Sequence, residues 1–356
     1  MRVGIIGGGQ LGMYLVDAAH KRHHSTIVLD PTPDVSASQN SDQMVVGAYD
    51  DRDCLKTIAK NSDVITYEFE NIQAQAVEYV KQLGGNVPQG YEPLHISQNR
   101  LREKDAICKT GAKTAAYEEL GETITMPMPF IIKTCEGGYD GKGQWLIRTE
   151  KDLAAFMKVK ENGQYIVESL VDFVCEVSVI VVRSGNGSMA VFEPIENIHE
   201  HGILHLSISP ARVSDEIKQK AKDTALQVMK GLGFTGILVL EMFVGRDGEI
   251  YINEIAPRPH NSGHLTMDAY DVSQYDLAIA SLMNETLPQP KIKSPAVMVN
   301  ILGQHVEAVM KKTCPSHAKL YMYGKKEVKT NRKMGHVTFC KDDLDALVKE
   351  AEAFIR

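Results

Sequence analysis

The sequence predicts an α/β fold in three parts: a doubly wound parallel sheet, a larger unit of antiparallel strands and helices, and a small mixed unit at the end. Three observations carry this. Residues 1 to about 90 alternate strand and helix, with glycines at the first strand-to-helix turn. The middle of the chain holds β-branched runs joined by a tight turn, "GILVLEMFVGRDGEIYINEIAPR". The tail closes on an amphipathic helix, "DLDALVKEAEAFI".

The elements follow in order. "RVGII" is the first strand, and a helix is predicted from Gln10 to Lys21. "STIVLD" is the second strand. "QMVVGAY" precedes "DRDCLKTIAK", where Asp51 can cap a helix, and "DVITYEFE" precedes "QAQAVEYVKQLGG", stopped by Gly84-Gly85. From about Ser97 the character changes. "SQNRLREKDAICKTG" reads as one charged helix ending at Gly111, then come the strand "PFIIKT" and the glycine-rich loop "EGGYDGKGQ". "QYIVESLV", "CEVSVIVVRS" and "SMAVFEPIENI" read as antiparallel strands, and the helix "SDEIKQKAKDTALQVMKGLG" leads into a hairpin turning at "GRDG". The expected units are residues 1–95, 96–293 with a lid subdomain at about 113–172, and 294–356.

Bulk properties narrow the function. The 356 residues are 43% hydrophobic, 24% charged and 6% aromatic, an ordinary globular balance, and the net charge of -7 argues against a general binder of nucleic acid or acidic membrane. Six cysteines lie far apart with no C-x-x-C, which fits a reduced cytosol better than a disulfide or zinc framework. Met1-Arg2 leads directly into a strand, so no signal peptide is expected, and no apolar run approaches the ~18 residues of a membrane span.

Several constellations could carry chemistry. Gly7, Gly9 and Gly12 satisfy G-x-G-x-x-G, and Asp30 ends the next strand, as a dinucleotide fold requires. Glycines also serve there for a tight turn alone, so this signal leaves the reading open. Lys133 ends a strand before Gly137, Gly138, Gly141 and Gly143, with Lys142 among them. Such a loop either closes backbone N–H groups over phosphate or is an exposed hairpin tip. Glu241 and Glu254, with Asn253 adjacent, can face each other across the hairpin, and Mg²⁺ takes one or two carboxylates plus substrate phosphates. With the glycine loop upstream, a metal–ATP site is the better reading of both. "APRPHNSGH" packs Arg258, His260, Asn261 and Ser262 beside the second acid, where they could position an anion. Lys325, Arg332 and Lys333 form a local basic excess suited to phosphate. His199 and His201 alternate on one expected strand face with His205 nearby, but no further zinc ligand is in register. His20 to His24 suit a helix C-terminus and need no other role.

Taken together, "GIIGGGQLG", "DVITYEFENI", "QNRLREK", "GGYDGKGQW", "ENIHEHGIL", "INEIAPRPHNSGH" and "RKMGH" resemble the ATP-grasp enzymes. Within them the likeness is to the N5-carboxyaminoimidazole ribonucleotide synthetase family, over nearly the whole chain. The resemblance implies an ATP-grasp fold with an N-terminal Rossmann-like pre-ATP-grasp domain. It implies ATP and Mg²⁺ as cofactors, with Mn²⁺ as a substitute for the metal, and a cytoplasmic homodimer acting on small molecules. By resemblance, Arg100 and Lys133 touch ATP, and Gly138, Tyr139, Asp140, Gly141, Lys142, Gly143 and Gln144 cover its phosphates. Glu168, Ser169, Leu170 and Val171 form the edge that reads adenine, Glu176 meets the ribose, and His199 faces the nucleotide. Glu241 and Glu254 hold Mg²⁺ with Asn253 adjacent. Tyr139, Asp140, Lys142, Arg258, His260, Asn261 and Ser262 meet the ribonucleotide or carboxyphosphate, Lys325, Arg332 and Lys333 bind phosphate, and Glu70 contacts the aminoimidazole. Arg258, His260, Asn261, Ser262 and Lys333 are the expected catalytic set.

The same resemblance moves the first glycine turn, with Gly9, Gln10 and Leu11, from a nicotinamide to the ribonucleotide, its amides opened to an anion at a helix N-terminus. The implied reaction is ATP- and bicarbonate-dependent carboxylation of 5-aminoimidazole ribonucleotide through carboxyphosphate, releasing ADP and phosphate, in purine biosynthesis. Other readings are a sister ATP-grasp ligase or formyltransferase, such as a formate-dependent glycinamide ribonucleotide transformylase, a Rossmann oxidoreductase, or a non-catalytic nucleotide binder.

Overall fold

The computed structural model describes residues 1–138 and 142–356. The first ninety residues follow the expected alternation: β1 (Arg2–Ile6), α1 (Gln10–Lys21), β2 (Ser25–Asp30), β3 (Gln43–Val46), α2 (Arg52–Asn61), β4 (Val64–Tyr67) and α3 (Ala74–Gln82). The strands form a parallel sheet in the order β3-β2-β1-β4. Asp51 caps α2 by accepting from the N–H groups of Asp53 and Cys54.

The charged stretch after Ser97 is broken where one helix was expected. α4 (Glu92–Ser97) stops, and α5 (Arg100–Lys109) starts anew because the Asn99 side chain accepts from Leu101 N and Arg102 N at 3.1 and 3.2 Å. A four-stranded antiparallel sheet, ordered β5-β8-β6-β7, then stands apart. It comprises β5 (Tyr117–Glu119), β6 (Phe130–Thr134), β7 (Gln144–Ile147) and β8 (Tyr165–Ser169), with α6 (Glu150–Val159) packed on it through Phe156.

The rest of the chain builds one large sheet. Its strands are β9 (Phe173–Arg183), β10 (Met189–Val191), β11 (Ile195–Glu200), β12 (Ile203–Ser209), β13 (Gly236–Gly245), β14 (Ile250–Ala256), β15 (Ala296–Leu302), β16 (Ala318–Met322) and β17 (Lys333–Cys340). They run β14-β13-β9-β11-β12-β15-β17-β16, with β10 added on β9. The helix α7 (Asp215–Leu232) covers one face through Ala221, Ala225, Val228 and Met229, and ends at Gly233 in the left-handed region at φ 68°. α8 (Thr266–Ala269) and α9 (Gln274–Leu282) lie on the other face, where α1 joins the same core. α10 (Val306–Met310) and α11 (Leu344–Ile355) close the C-terminal end, with Leu347, Ala351 and Phe354 against Val297, Val299 and Phe339.

An aromatic cluster ties the N-terminal, central and C-terminal parts together. His264 and His336 stack at 4.5 Å, Tyr275 Oη lies 2.7 Å from His264 Nδ1, and Tyr323 Oη lies 2.9 Å from His336 Nδ1. Tyr14 of α1 packs edge-on to His264. Burial pushes the His336 imidazole down to about 3, so this stack is uncharged.

Gly12 allows α1 to start against β1. A Cβ there would lie 2.6 Å from the Gly7 carbonyl oxygen, which is backbone and cannot swing aside. Gly12→Ala is therefore expected to cost about 1–3 kcal/mol of stability, read as a lower thermal midpoint by calorimetry.

Candidate active site

The hairpin β13–β14 sets the centre of the site. Glu241 and Glu254 are cross-strand partners, and the register slips at the next pair, Met242 with Ile252, leaving Asn253 as a bulge. Each acid has a basic partner: His260 Nε2 is 2.8 Å from Glu241 Oε1, and Arg100 Nη1 is 3.2 Å from Glu254 Oε2. Burial opposes the Glu241 charge, but His260, His199 and Arg258 outweigh it and hold the carboxyl down at about 2. Among the described residues no group of three or more His, Cys, Asp or Glu suits a metal. A facing pair of carboxylates still fits Mg²⁺, which completes its shell with phosphates and water.

Lys133 enters from β6. Its ammonium lies 2.7 Å from Glu168 Oε2 and 3.4 Å from Asn253 Oδ1. Glu168, the first residue of the expected adenine edge, turns its side chain inward. It is buried, with Lys133 on one oxygen and Lys104 3.7 Å from the other. Burial raises the Glu168 carboxyl, but these two lysines lower it further, for a net downward shift. Ser169 and Val171 beyond it are half-buried and Leu170 is exposed. Gly143 accepts Thr134 N–H at 2.8 Å, and Gln144 pairs with Lys133 in the sheet. Gly138 lies beside Arg100, and Lys142 is exposed. Tyr139, Asp140 and Gly141 fall outside the described residues.

On the neighbouring strands Glu176 Oε2 lies 2.9 Å from His199 Nδ1. Burial works against protonation of this imidazole, yet Glu176 and then Glu241 carry it above the ordinary value. His201 departs from expectation. β11 ends at Glu200, and His201, at φ 52°, forms the turn with Gly202 instead of sharing a strand face with His199.

The "APRPHNSGH" segment faces the N-terminal unit. Arg258 grips the Glu70 carboxylate through Nε and Nη2, and burial of Glu70 is outweighed by this guanidinium, so its carboxyl is lowered. Asn261 Oδ1 lies 3.2 Å from Gln10 Nε2 and 3.1 Å from His264 Nε2. Ser262, expected in the catalytic set, is fully buried behind His260, with its Oγ 2.8 Å from both His260 Nδ1 and Ser178 Oγ. Its hydroxyl is held between the imidazole and Ser178. Lys325 donates to the Lys333 carbonyl at 2.9 Å, and burial with the nearby Arg332 lowers its ammonium to about 8. Arg332 is 39% exposed and donates to the Glu327 carbonyl.

The glycine turn is braced by two acids. Gly8 N–H goes to Asp30 at 2.9 Å and Gly9 N–H to Glu68 at 2.8 Å, so these two amides are already taken by carboxylates. Leu11 is buried. Asp30 also accepts from Tyr49 Oη at 2.8 Å, which makes it a brace for the turn. Sequence reasoning passed over Glu68, Glu103, Lys104 and Ser178. Only their mixture of charge or hydroxyl with strongly apolar neighbours signalled burial.

Comparison with known proteins places these features. The ribonucleotide synthetase preATP-grasp domain matches residues 1–98, the ATP-grasp domain residues 106–275, and the phosphoribosylaminoimidazole carboxylase C-terminal domain residues 296–350. The chain is 43% identical to the N5-carboxyaminoimidazole ribonucleotide synthase of Bacillus subtilis, over 98% of this chain and 93% of that protein. This chain belongs to the N5-carboxyaminoimidazole ribonucleotide synthase family. It is thus an ATP-grasp ligase of purine biosynthesis. A solved synthetase of the family, as its ADP complex, matches with a TM-score of 0.96 at 42% identity, over 99% of this chain and 96% of that one. The Aspergillus clavatus synthase in complex with ADP and 5-aminoimidazole ribonucleotide matches with a TM-score of 0.91 at 28% identity, over 99% and 97%. Among the described residues of this synthase-family chain, no helix is long and apolar enough to cross a membrane.

Glu68 gives the site a pH signature. Burial lifts its carboxyl from 4.5 to about 7 despite the Gly9 N–H bond. Between these values the folded chain keeps a proton that the unfolded chain has lost, so stability falls as pH rises, and above about 7 the cost is constant. Glu68→Gln keeps an acceptor for Gly9 and removes this cost. Urea unfolding should show the variant more stable than the parent by up to about 3 kcal/mol at roughly pH 8, with no advantage near about pH 4.

Proposed function

We propose that this chain carboxylates the exocyclic amine of 5-aminoimidazole ribonucleotide with bicarbonate, at the expense of ATP. The observation that carries the reading is the Glu241–Glu254 pair, with Lys133 beside Asn253 on one side and the Arg258–Glu70 and Gln10–Asn261 contacts on the other. One side has the donor set for a nucleotide and its metal. The other joins the glycine turn of the N-terminal unit to the loop after the metal acids.

In the first step a bicarbonate oxygen attacks the γ-phosphorus of ATP, giving carboxyphosphate and ADP. Glu241 and Glu254 would hold Mg²⁺, whose charge stabilises the phosphoryl oxygens during transfer. Arg100 and Lys133, with Gly138, Lys142, Gly143 and Gln144, would fix the phosphates. Transfer of this kind rests on positioning and electrostatics. Glu168, Ser169, Leu170 and Val171 then border the adenine, Glu176 the ribose, and His199 the nucleotide.

In the second step the amine nitrogen attacks the carboxyl carbon, the bond to the phosphate oxygen breaks, and phosphate leaves with that electron pair. Arg258, His260 and Asn261 line this side, Glu70 reads the aminoimidazole, and Lys325, Arg332 and Lys333 take the ribonucleotide phosphate. Gln10 supports the site through Asn261. The three units at residues 1–95, 96–293 and 294–356 divide the labour as ribonucleotide binding, phosphoryl transfer and phosphate clamping. The six free cysteines support a reducing, cytoplasmic setting, and likeness to the family supports a homodimer.

The test is ADP release from Mg-ATP, followed with and without 5-aminoimidazole ribonucleotide and bicarbonate. Release is expected to require the ribonucleotide and to rise with bicarbonate. Release that instead follows formate and glycinamide ribonucleotide overturns the substrate. Glu254→Gln should lower turnover by about a hundredfold or more while the thermal midpoint holds, and a near-normal rate would remove it from the metal site.

A further inference from the structure

β14 is the outermost strand of the large sheet, and on the edge turned away from β13 it meets an isolated parallel bridge between Ile252 and Thr114, with Ile252 N–H donating to the Lys113 carbonyl at 2.8 Å. Other polar groups of that edge find partners on a single turn of α5. Glu103 Oε1 accepts from Ile255 N at 2.7 Å. Lys104 Nζ donates to the carbonyls of Ile252 and Asn253 at 3.3 and 2.9 Å. Arg100, on the same face by i, i+3, i+4 spacing, reaches the Glu254 carboxylate at 3.2 Å.

Two consecutive carbonyls do not face one way in a regular strand, where they alternate. They do so here because Asn253 is the extra residue of the bulge. A bulge bends its strand and re-aims the side chains beside it. The re-aimed groups are Asn253 and Glu254, and the single ammonium of Lys104 closes both carbonyls that the distortion turns outward.

Lys104 also lies 3.7 Å from Glu168 Oε1, while Lys133 holds the other oxygen at 2.7 Å. It therefore stands between the bulge and the lysine expected on the nucleotide phosphates. Glu103 and Lys104 are 2% and 1% exposed, too deep to touch a ligand. Charges at that depth are poor sources of stability, since apolar side chains of like volume usually do as well or better.

Resting on the ATP-dependent reading above, we propose that Lys104 and Glu103 are positioning residues. They clamp the Asn253 bulge of β14 so that Asn253, Glu254 and Lys133 are preset for a metal–nucleotide. Removing the ammonium takes the lysine donor from both carbonyls and leaves Glu168 with Lys133 as its close cation, and the bulge relaxes.

The test uses the whole chain and calorimetric titration with MgADP and, separately, with 5-aminoimidazole ribonucleotide. Lys104→Met keeps an unbranched stem without the charge. In folded variant, MgADP binding should weaken by about tenfold or more while ribonucleotide binding is unchanged. Lys104→Gln, which retains one N–H donor group, should fall between parent and Lys104→Met. Unchanged MgADP affinity in folded Lys104→Met overturns the proposal, and so does equal weakening of both ligands, which marks general loosening. If Lys104→Met does not fold, Glu103→Leu is compared with Glu103→Gln. Only the former removes the acceptor for Ile255 and should weaken MgADP, and equal affinities overturn the proposal. A parent protein that binds no MgADP overturns the ATP-dependent reading instead.

Discussion

A carboxylate withdrawn from water needs a cation or a set of N–H groups, and this molecule withdraws many around one hairpin. His260 serves Glu241, Arg100 serves Glu254, Arg258 serves Glu70, and Lys133 serves Glu168. Among the described residues, Asp30 and Glu68 form no ion pair with a lysine or arginine and accept from the amides of the glycine turn. The partners seldom share an element with the acids they serve. α5, β6, the loop after β14 and the first βα turn are each brought to a fixed place by the acid they neutralise. Charge pairing of this kind adds little net stability, but a misplaced element would leave a bare buried charge, which is costly. The site is thus positioned by what its parts cannot afford to lose.

The same pairing explains how the site can exchange partners. Arg100 and His260 partner the two facing acids, and both side chains carry N–H donors of the kind phosphate oxygens accept. Under the proposed reading, the donors gathered for the acids are the ones a nucleotide needs. The aromatic stack behind Asn261 adds a different property. Its histidines are uncharged, so the junction of the three units does not respond to pH in the range where Glu68 and Lys325 titrate.

Much of the fold was legible because it depends on local pattern. The bounds of α1, the Asp51 cap and the β13–β14 hairpin follow from periodicity and turn chemistry. The facing of Glu241 and Glu254 was legible for the same reason, since a hairpin converts spacing in sequence into opposition in space. The misreadings have one origin, which is that composition does not tell a buried charge from a solvated one. "NRLREKD" looks like a charged helix face, yet Glu103 and Lys104 are among the most buried residues of α5. The side chains of Glu168 and Ser262 are likewise buried, against Lys133 and His260, and nothing in their composition signalled that depth. The glycine turn matched an anion-binding pattern, but pattern alone did not reveal that Asp30 and Glu68 return to claim its amides.

The strand order of the large sheet bears on how such a chain can be divided. β12 pairs with β11 on one edge and β15 on the other, so hydrogen bonding crosses from the central unit to the C-terminal one without a seam. Cutting the chain before β15 would bare an apolar strand edge and take Val297 and Val299 away from Leu206 and Ile208. Bare edges of that kind recruit other chains. The segment bearing Lys325, Arg332 and Lys333 is therefore not a cassette that recombination could swap freely. Any exchange would have to carry the matching half of the sheet with it, because β17, which begins at Lys333, and the β13–β14 hairpin are parts of one continuous sheet.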